Sequence, residues 1–160
     1  MHPETKPEGE ELSAEKRESL KPTVERITQI AQANGMPLVF PERMISTCRA
    51  IEATEYSREQ GKLPAFHKLV FQKFYGQGQD IASWEVLRAA AHEVGLDADA
   101  MQRMTESGVY RDIVERQTVE AQNRGINQIP TFVLNDSYAV VGAQPYEVFQ
   151  LVLEQMAQGV

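Results

Sequence analysis

The stretch that decides the fold is GINQIPTFVLNDSYAVVGAQPYEVFQ, residues 125–150. Within it, the segments TFVLN (131–135) and YAVVG (138–142) are dense in β-branched and aromatic residues. Such segments favour strands, and the intervening Asp136 and Ser137 are typical of a hairpin turn. The stretch therefore predicts a proline-marked strand, a turn and a second strand.

Helices are predicted before this hairpin. Helical periodicity indicates helices over about residues 13–34, 43–60, 65–76, 83–95, 98–106 and 109–124. Ser13, Ser83 and Asp97 are expected to be N-caps. Pro22 leaves two alternatives for the first helix, which is either kinked or divided in two. The apolar run MPLVFP, residues 36–41, is expected to be an extended connector rather than a strand.

The two ends of the chain are predicted to differ. Residues 1–11 are polar and hold prolines and a glycine, which favours an extended arm without regular structure. At the other end, Pro145 suits the first turn of a final helix. The apolar face of that helix comprises Phe149, Val152, Leu153 and Met156.

Length and charge limit the possible functions. The 160 residues are enough for one domain, and the net charge is −7. Nucleic-acid binding is not expected, because it needs clustered lysine and arginine. Membrane insertion is not expected either, since no apolar run approaches the roughly 20 residues that span a bilayer. The chain start does not resemble a signal peptide, so a cytoplasmic location is expected.

The hairpin creates a packing problem. Both of its alternating faces are apolar, and strands of this kind are usually buried within a larger sheet. A two-stranded hairpin alone is marginal in water. The sequence therefore implies sheet neighbours, which a second copy of the chain could supply by pairing strand edges or exchanging hairpins. A homodimer that completes the sheet is one expectation.

The single cysteine, Cys48, cannot form an intrachain disulfide or a CxxC redox pair. Ile45, Cys48 and Ile51 would share a helical face, which favours Cys48 as a small buried apolar residue over a reactive thiol. The histidines are His2, His67 and His92, and none has metal-ligand spacing. No metal site is expected.

The combination of IPTF (129–132) with GAQP (142–145) resembles the DsbA-like thioredoxin-fold family, in particular its FrnE-like and 2-hydroxychromene-2-carboxylate isomerase-like branch. IPTF alone would be a weak match. Residues 68–97 and the segment STCRAIEATEYSREQGK (46–62) look like the helical insertion of that family, and HPETKPEGEEL (2–12) looks like the stretch that follows its second strand. The resemblance covers nearly the whole chain.

The resemblance implies an α/β, thioredoxin-like fold of the DsbA type with a large helical insertion. Residues 1–160 would form one domain, in which 12–124 are mostly the insertion and 125–160 hold the cis-proline strand, hairpin and last helix. In the family, a strand, a Cys-Pro-x-Cys or serine-type active-site turn that opens a helix, and a second strand precede this region. We therefore expect an N-terminally truncated, predominantly helical member without catalytic residues.

The resemblance also assigns substrate-binding positions. Ile129, Pro130 and Thr131 match the cis-proline loop of the family, whose backbone forms hydrogen bonds with an extended substrate. A cis X-Pro bond is uncommon, so a proline at a position where the family has one favours the cis form. The alternative is that Pro130 merely begins a strand. Ser46 and Thr47 match positions that line the pocket of the isomerase branch, although a role in capping a helix is favoured for both.

Three functions remain open. The preferred one is a DsbA-family thiol–disulfide oxidoreductase homologue without independent dithiol activity, acting on an extended polypeptide or a small thiol. The second is a glutathione-dependent isomerase-like protein, in which case glutathione would be the ligand. The third is a non-catalytic dimeric binding protein. No other cofactor is expected.

Overall fold

The structure, a computed structural model, describes residues 5–6 and 9–158. Its helices are α1 (Ala14–Ala33), α2 (Cys48–Glu59), α3 (Leu63–Phe71), α4 (Trp84–Glu93), α5 (Ala98–Glu106), α6 (Val109–Asn123) and α7 (Tyr146–Ala157). Its strands are β1 (Glu10–Glu11), β2 (Arg43–Met44), β3 (Thr131–Leu134) and β4 (Tyr138–Val141). A π-helical turn, Gln72–Gly76, continues α3.

Two compact units divide the chain, Met1–Val114 and Glu115–Val160. The division lies inside α6, whereas the sequence indicated a change from helical to strand-like periodicity after residue 124. That the whole chain forms one family domain stays a prediction.

Helix α1 runs through Pro22 without interruption, so the alternative of two separate helices was wrong. Ser13 is its N-cap, as predicted, and its side chain accepts a hydrogen bond from the Lys16 N–H at 3.2 Å. The helix ends where Gly35 takes a left-handed conformation with a φ of 62°, a conformation that only glycine adopts without cost.

A short ladder corrects two predictions near the start of the chain. Residues 10–11 form β1, which pairs antiparallel with β2, so the predicted arm is not wholly without structure. Because β2 occupies residues 43–44, the helix expected from Arg43 begins only at Cys48. The segment 36–41 is an extended connector, as predicted. Residues 1–4 and 7–8 of the arm, with His2 and five of the eleven residues of the HPETKPEGEEL match, lie outside the described residues.

Helices α2 to α5 enclose the core of the first unit. Its largest fully buried side chains are Tyr110, Phe66, Leu87, Met101 and Ser57. Two predicted caps are confirmed: Ser83 accepts from the Glu85 N–H at 3.2 Å, and Asp97 accepts from the Ala100 N–H at 2.9 Å. Each cap satisfies a backbone donor that a helix start leaves without a partner. The core therefore combines apolar burial with satisfied helix ends.

Tyr110 links α6 to this core. Its ring lies edge-on to that of Tyr56, with the centroids 6.3 Å apart, and its hydroxyl donates to Glu59 Oε2 at 2.7 Å. Burial raises the pKa of Tyr110, and the adjacent Glu59 carboxylate raises it further. The phenol is therefore held in its neutral form.

The second unit contains the predicted hairpin and final helix. Strands β3 and β4 pair antiparallel, with Thr131 opposite Val141 and Leu134 opposite Tyr138. The turn begins one residue earlier than expected: Asn135 and Asp136 take left-handed φ values of 49° and 52°. This conformation suits asparagine and aspartate, which tolerate it better than other non-glycine residues.

One face of the hairpin lies against α7. The rings of Phe132 and Phe149 meet edge-on with centroids 4.8 Å apart. Pro145 is the N-cap residue of α7 rather than a member of its first turn. No residue of α7 is fully buried, and Leu153, which was expected on its packed face, is 54% exposed. The packing of this unit is therefore shallow.

None of the helices at positions 5–6 and 9–158 combines the length and apolar character that crossing a bilayer requires. In the same ranges, no three His, Cys, Asp or Glu side chains are grouped so that they could hold a metal ion.

Candidate functional site

The predicted substrate-binding loop follows the end of α6. Gly125 has a φ of 76° and donates its N–H to the Gln122 carbonyl at 2.9 Å, and Ile126 donates to the Ala121 carbonyl at 3.0 Å. These two bonds satisfy carbonyls at the helix end and turn the chain away from the helix axis. The loop of residues 126–130 then leads into β3.

Hydrogen bonds hold this loop on two sides. The Pro130 carbonyl accepts from the Gly142 N–H at 2.8 Å, which joins the loop to the end of β4. The Thr131 hydroxyl donates to the Gln128 carbonyl at 2.7 Å. The Ile129–Pro130 peptide bond between them is cis. The loop is therefore tied to the hairpin before the first residue of β3.

Ile129 stands out from this tied loop. It is 87% exposed, the largest exposure of any large apolar residue in the described part of the chain. Within that part, its backbone N–H and carbonyl have no hydrogen-bond partner. Thr131 is half-buried and begins β3. The three predicted residues thus lie together, and the backbone groups of Ile129 are unpaired within the described part of the chain.

A broad cleft of about 740 Å³ opens beside the loop. Its walls are Arg124, Gly125, Ile126, Asn127, Gln128, Thr131, Val133, Asp136, Ser137, Tyr138, Ala139 and Val141. Thr131 is therefore on its wall, whereas Ile129 and Pro130 are not. Arg124 forms ion pairs with Asp136 at 3.3 Å and with Glu120 at 2.9 Å, so the wall includes a paired charge. The remainder is an apolar hairpin face edged by polar loop atoms.

Cys48, Ser46 and Thr47 lie elsewhere, in the first unit. Cys48 is half-buried and lines a second cleft, so its prediction as a core residue was wrong. Ser46 lines the same cleft. Thr47 is at the N-cap position of α2, but its side chain makes no capping bond. The reason is backbone geometry: Thr47 has helical φ and ψ of −96° and −1°, whereas capping residues are usually extended.

Sequence reasoning missed most of this second cleft. Its other walls are Arg49, Glu52, Ala82, Trp84, Thr105, Glu106 and Arg111. These residues come from four helices and a loop and share no local motif. Only the packing of α2, α4, α5 and α6 brings them together, so no sequence signal could have grouped them.

Residues 2–154 match the family described as the DSBA-like thioredoxin domain. The chain belongs to this family. Membership confirms the predicted thioredoxin-like fold of the DsbA type, and the predominantly helical body with a C-terminal hairpin and helix agrees with it.

Curated relatives of this DSBA-like chain include an uncharacterized protein and an isomerase. The chain is 30% identical over 128 residues to the uncharacterized protein YwbO of Bacillus subtilis (strain 168), which covers 78% of this chain and 63% of that protein. It is 29% identical over 104 residues to a 2-hydroxychromene-2-carboxylate isomerase of Sphingobium xenophagum, covering 63% and 51%. The chain thus spans between half and two thirds of the length of these relatives.

Solved structures show the same architecture. A probable DsbA oxidoreductase from Streptomyces coelicolor is similar with a TM-score of 0.78 and 26% identity, over 86% of this chain and 60% of that one. A 2-hydroxychromene-2-carboxylate isomerase also has a TM-score of 0.78, over 92% and 72%. At 23% identity, the second likeness shows the fold alone. The named proteins to which this chain is similar thus comprise a probable oxidoreductase and isomerases.

Proposed function

We propose that this chain carries the substrate-binding half of a thiol–disulfide oxidoreductase site, and that its substrate is an extended polypeptide or a small thiol. The observation that carries the proposal is that Ile129, at the entrance to β3, is 87% exposed and that its backbone N–H and carbonyl have no partner among the described residues. The family membership supplies the chemistry.

An extended substrate would form main-chain hydrogen bonds with this peptide group, as one strand of a sheet does with the next. In an antiparallel pair, opposed residues exchange an N–H···O bond in each direction. Peptides that add to exposed strands gain affinity from such main-chain bonds and specificity from adjoining side-chain pockets. Each bond would contribute about 0.5 to 1.5 kcal/mol, so the expected binding is weak and reversible.

Dithiol turnover would need two thiols, and the 160 residues contain only one. A thiolate attacks a disulfide, and a second thiol then resolves the mixed disulfide. The sequence contains Cys48 alone. We therefore propose that the 160-residue chain by itself binds substrate without independent dithiol activity.

Peptide binding can be followed at Ile129 directly. Adding an extended, disulfide-free peptide to the ¹⁵N-labelled chain should shift the Ile129 amide resonance and slow its hydrogen exchange. Thr131→Val should weaken binding several-fold, because it removes the bond to the Gln128 carbonyl that holds the loop. The matched control is Thr54→Val, which loses a similar 2.7 Å bond to the Ala50 carbonyl in α2. Equal affinities for the two variants would contradict the proposal.

Insulin reduction tests the dithiol part separately. The purified chain with dithiothreitol should reduce insulin no faster than dithiothreitol alone. A rate above that background that disappears in Cys48→Ser would show that one cysteine suffices, and the two-thiol argument would fail.

A second candidate is a glutathione-dependent isomerase. It is favoured by the curated isomerases of Sphingobium xenophagum and of Pseudomonas putida, the latter 30% identical over 108 residues. Here glutathione would be the bound thiol. Calorimetric titration with glutathione decides this point: saturable binding at millimolar ligand supports it, and no heat of binding at that concentration removes it.

A further inference from the structure

We propose that the exposed face of α3, with the π-helical turn that continues it, is a docking surface for an acidic amphipathic helix of another protein. The surface comprises Phe71 and Tyr75, which are 53% and 38% exposed, and Met36 and Val39 of the connector, which are 56% and 45% exposed. It is named the α3 surface below. It shares no residue with the loop at Ile129, so this proposal does not depend on the proposed function.

Helix α3 carries apolar side chains on two sides. Toward the core it buries Phe66 and Val70, which are 0% and 4% exposed. On another side the Phe71 ring faces solvent, and its centroid lies 4.8 Å from that of His67 and 5.8 Å from that of Tyr75. A surface helix normally has polar residues away from its buried face, and a helix that is apolar all round is normally covered. The α3 surface is therefore more apolar than contact with water alone would favour.

The connector extends this apolar area. The Val39 N–H donates to the Tyr75 carbonyl at 2.6 Å, which fixes the connector beside the π-helical turn. Gly78 permits this close approach, because a Cβ atom at that position would lie 3.0 Å from Val39 Cγ1. The exposed residues of α3 and of the connector thus form one area rather than scattered positions. Contiguous exposed apolar areas of this kind mark interaction sites.

The spacing of the rings favours a helical partner. His67, Phe71 and Tyr75 are each four residues apart, and their ring contacts show that they form one ridge along the helix. Ridges of this spacing pack into the grooves of a facing helix. A partner helix would present apolar residues at positions i, i+3, i+4 and i+7.

Charge determines which helix the surface favours. Residues 60–79 contain no acidic residue, although the chain has a net charge of −7. Lys73 is buried and paired with Glu93 at 2.5 Å, whereas Lys68 is exposed and has no ion pair in the described part of the chain. Lys68 precedes Phe71 by three residues and Tyr75 by seven, so it lies on the same side of the helix. A carboxylate at the edge of the partner's apolar face would complement it.

The same charges disfavour two other occupants. A second copy of the α3 surface would place lysine against lysine, and like charges that face each other across an interface are unfavourable. An anionic bilayer would be repelled by the net charge of −7. The acidic helix of another protein is the occupant that both the apolar ridge and Lys68 favour.

Two labelled synthetic helical peptides test the proposal by fluorescence anisotropy. They have equal length and the same leucine face, and they carry either glutamate or lysine at the remaining positions. The glutamate peptide should bind at least about tenfold more tightly, and high salt should reduce this difference. Equal affinities, or tighter binding of the lysine peptide, would overturn the proposal. So would two other results that Phe71→Ala abolishes: sedimentation with phosphatidylserine vesicles, or self-association of the chain.

Two valines with matched exposure locate the site. Val39 is 45% exposed and belongs to the α3 surface, whereas Val109 is 46% exposed and does not. Val39→Ala should weaken binding of the glutamate peptide several-fold, and Val109→Ala should not. Phe71→Ala should weaken it about tenfold or more, since aromatic side chains dominate interfaces, while the melting temperature changes little. Equal effects of the two valine variants, or wild-type affinity in Phe71→Ala, would refute the assignment.

A charge reversal separates docking from loss of structure. Lys68→Glu should weaken the glutamate peptide about tenfold and strengthen the lysine peptide, which an unfolded variant would not do. The control is Lys16→Glu, at the opposite end of α1 from the connector, which should leave both affinities unchanged. The same affinities in Lys68→Glu as in the wild type would contradict an acidic partner.

Discussion

The two units of the chain bury their apolar residues to very different extents. In the first, four helices surround a core in which Phe66, Leu87 and Met101 have no exposed surface. In the second, among residues 115–158, only Val140 is buried. Both units contain helices and strands, so the presence of secondary structure does not account for this difference in burial.

The difference shows what secondary structure requires to be stable. Burying a large apolar side chain contributes about 1.5 to 3 kcal/mol, whereas a half-exposed one contributes much less. The first unit gains this stabilisation from each of its large buried apolar side chains. The hairpin gains it at Val140 and in the contact between Phe132 and Phe149. Its stability therefore depends on further cover over its apolar faces.

The largest expected effect comes from truncating matched leucines. Leu87→Ala, in the core of the first unit, should lower the free energy of unfolding by about 2 to 5 kcal/mol, because it leaves a cavity. Leu151→Ala, on α7 at 56% exposure, should change it by less than about 0.5 kcal/mol. Urea unfolding followed by circular dichroism measures both. Similar losses for the two would show that the units are equally packed.

Self-association should come from the second unit. If a second copy covers the hairpin, the wild-type chain forms a dimer, and Val133→Lys should weaken it about tenfold, since a charge then lies on the apolar surface. Ser137→Lys, at the turn, is the control. Sedimentation equilibrium across a concentration series measures the change. A wild-type chain that stays monomeric at the highest concentration removes the homodimer.

Helix caps provide a smaller contrast within the first unit. Asp97→Ala should cost about 1 kcal/mol of stability, because it removes the bond to the Ala100 N–H. Thr47→Ala should cost nearly nothing, since its side chain caps no amide. The midpoints of urea unfolding compare the two directly, and an equal cost would indicate a capping role for Thr47.

The smallest effect concerns Tyr110 and has a defined pH dependence. At neutral pH, Tyr110→Phe should cost about 0.5 kcal/mol, because water can replace the phenol at the exposed Glu59. The folded pKa of Tyr110 is raised above its ordinary value of 10.0, so its contribution is complete below pH 10 and decreases as the pH rises above it. The stability of the wild type should therefore fall more steeply than that of the variant above pH 10. Parallel curves would contradict this.

Local features of the fold were largely predictable. The caps at Ser13, Ser83 and Asp97, the helix end at Gly125 and the hairpin over 131–141 each depend on residues close in sequence. Their hydrogen bonds form within one turn or one ladder, so the local residue types determine them.

Predictions failed where distant residues interact. The start of α2 was placed too early because β2 pairs with β1, more than 30 residues before it. Cys48 was expected in the core because the helix was assumed to include Ile45. In the structure Ile45 precedes the helix, and Cys48 lies on a cleft wall instead. Helical periodicity cannot show that residues 43–44 pair with a distant strand instead of beginning the helix.

The candidate loop shows the same limit. The position of residues 129–131 was predicted from IPTF and GAQP, while their role in binding substrate stays a prediction. That Ile129 would be 87% exposed with an unpaired peptide group could not be predicted, because exposure depends on what the rest of the chain covers.

The sequence by itself determined the helices, their caps, the hairpin and the family, because these depend on neighbouring residue types and on a local motif. Only the tertiary structure decided which apolar faces are buried and which polar groups meet. It brought Arg49, Trp84, Thr105 and Arg111 around one cleft, and it left Phe132, Val133 and Val141 of the hairpin exposed. Burial and electrostatic fields are sums over residues that are distant in sequence, and only packing sets those distances.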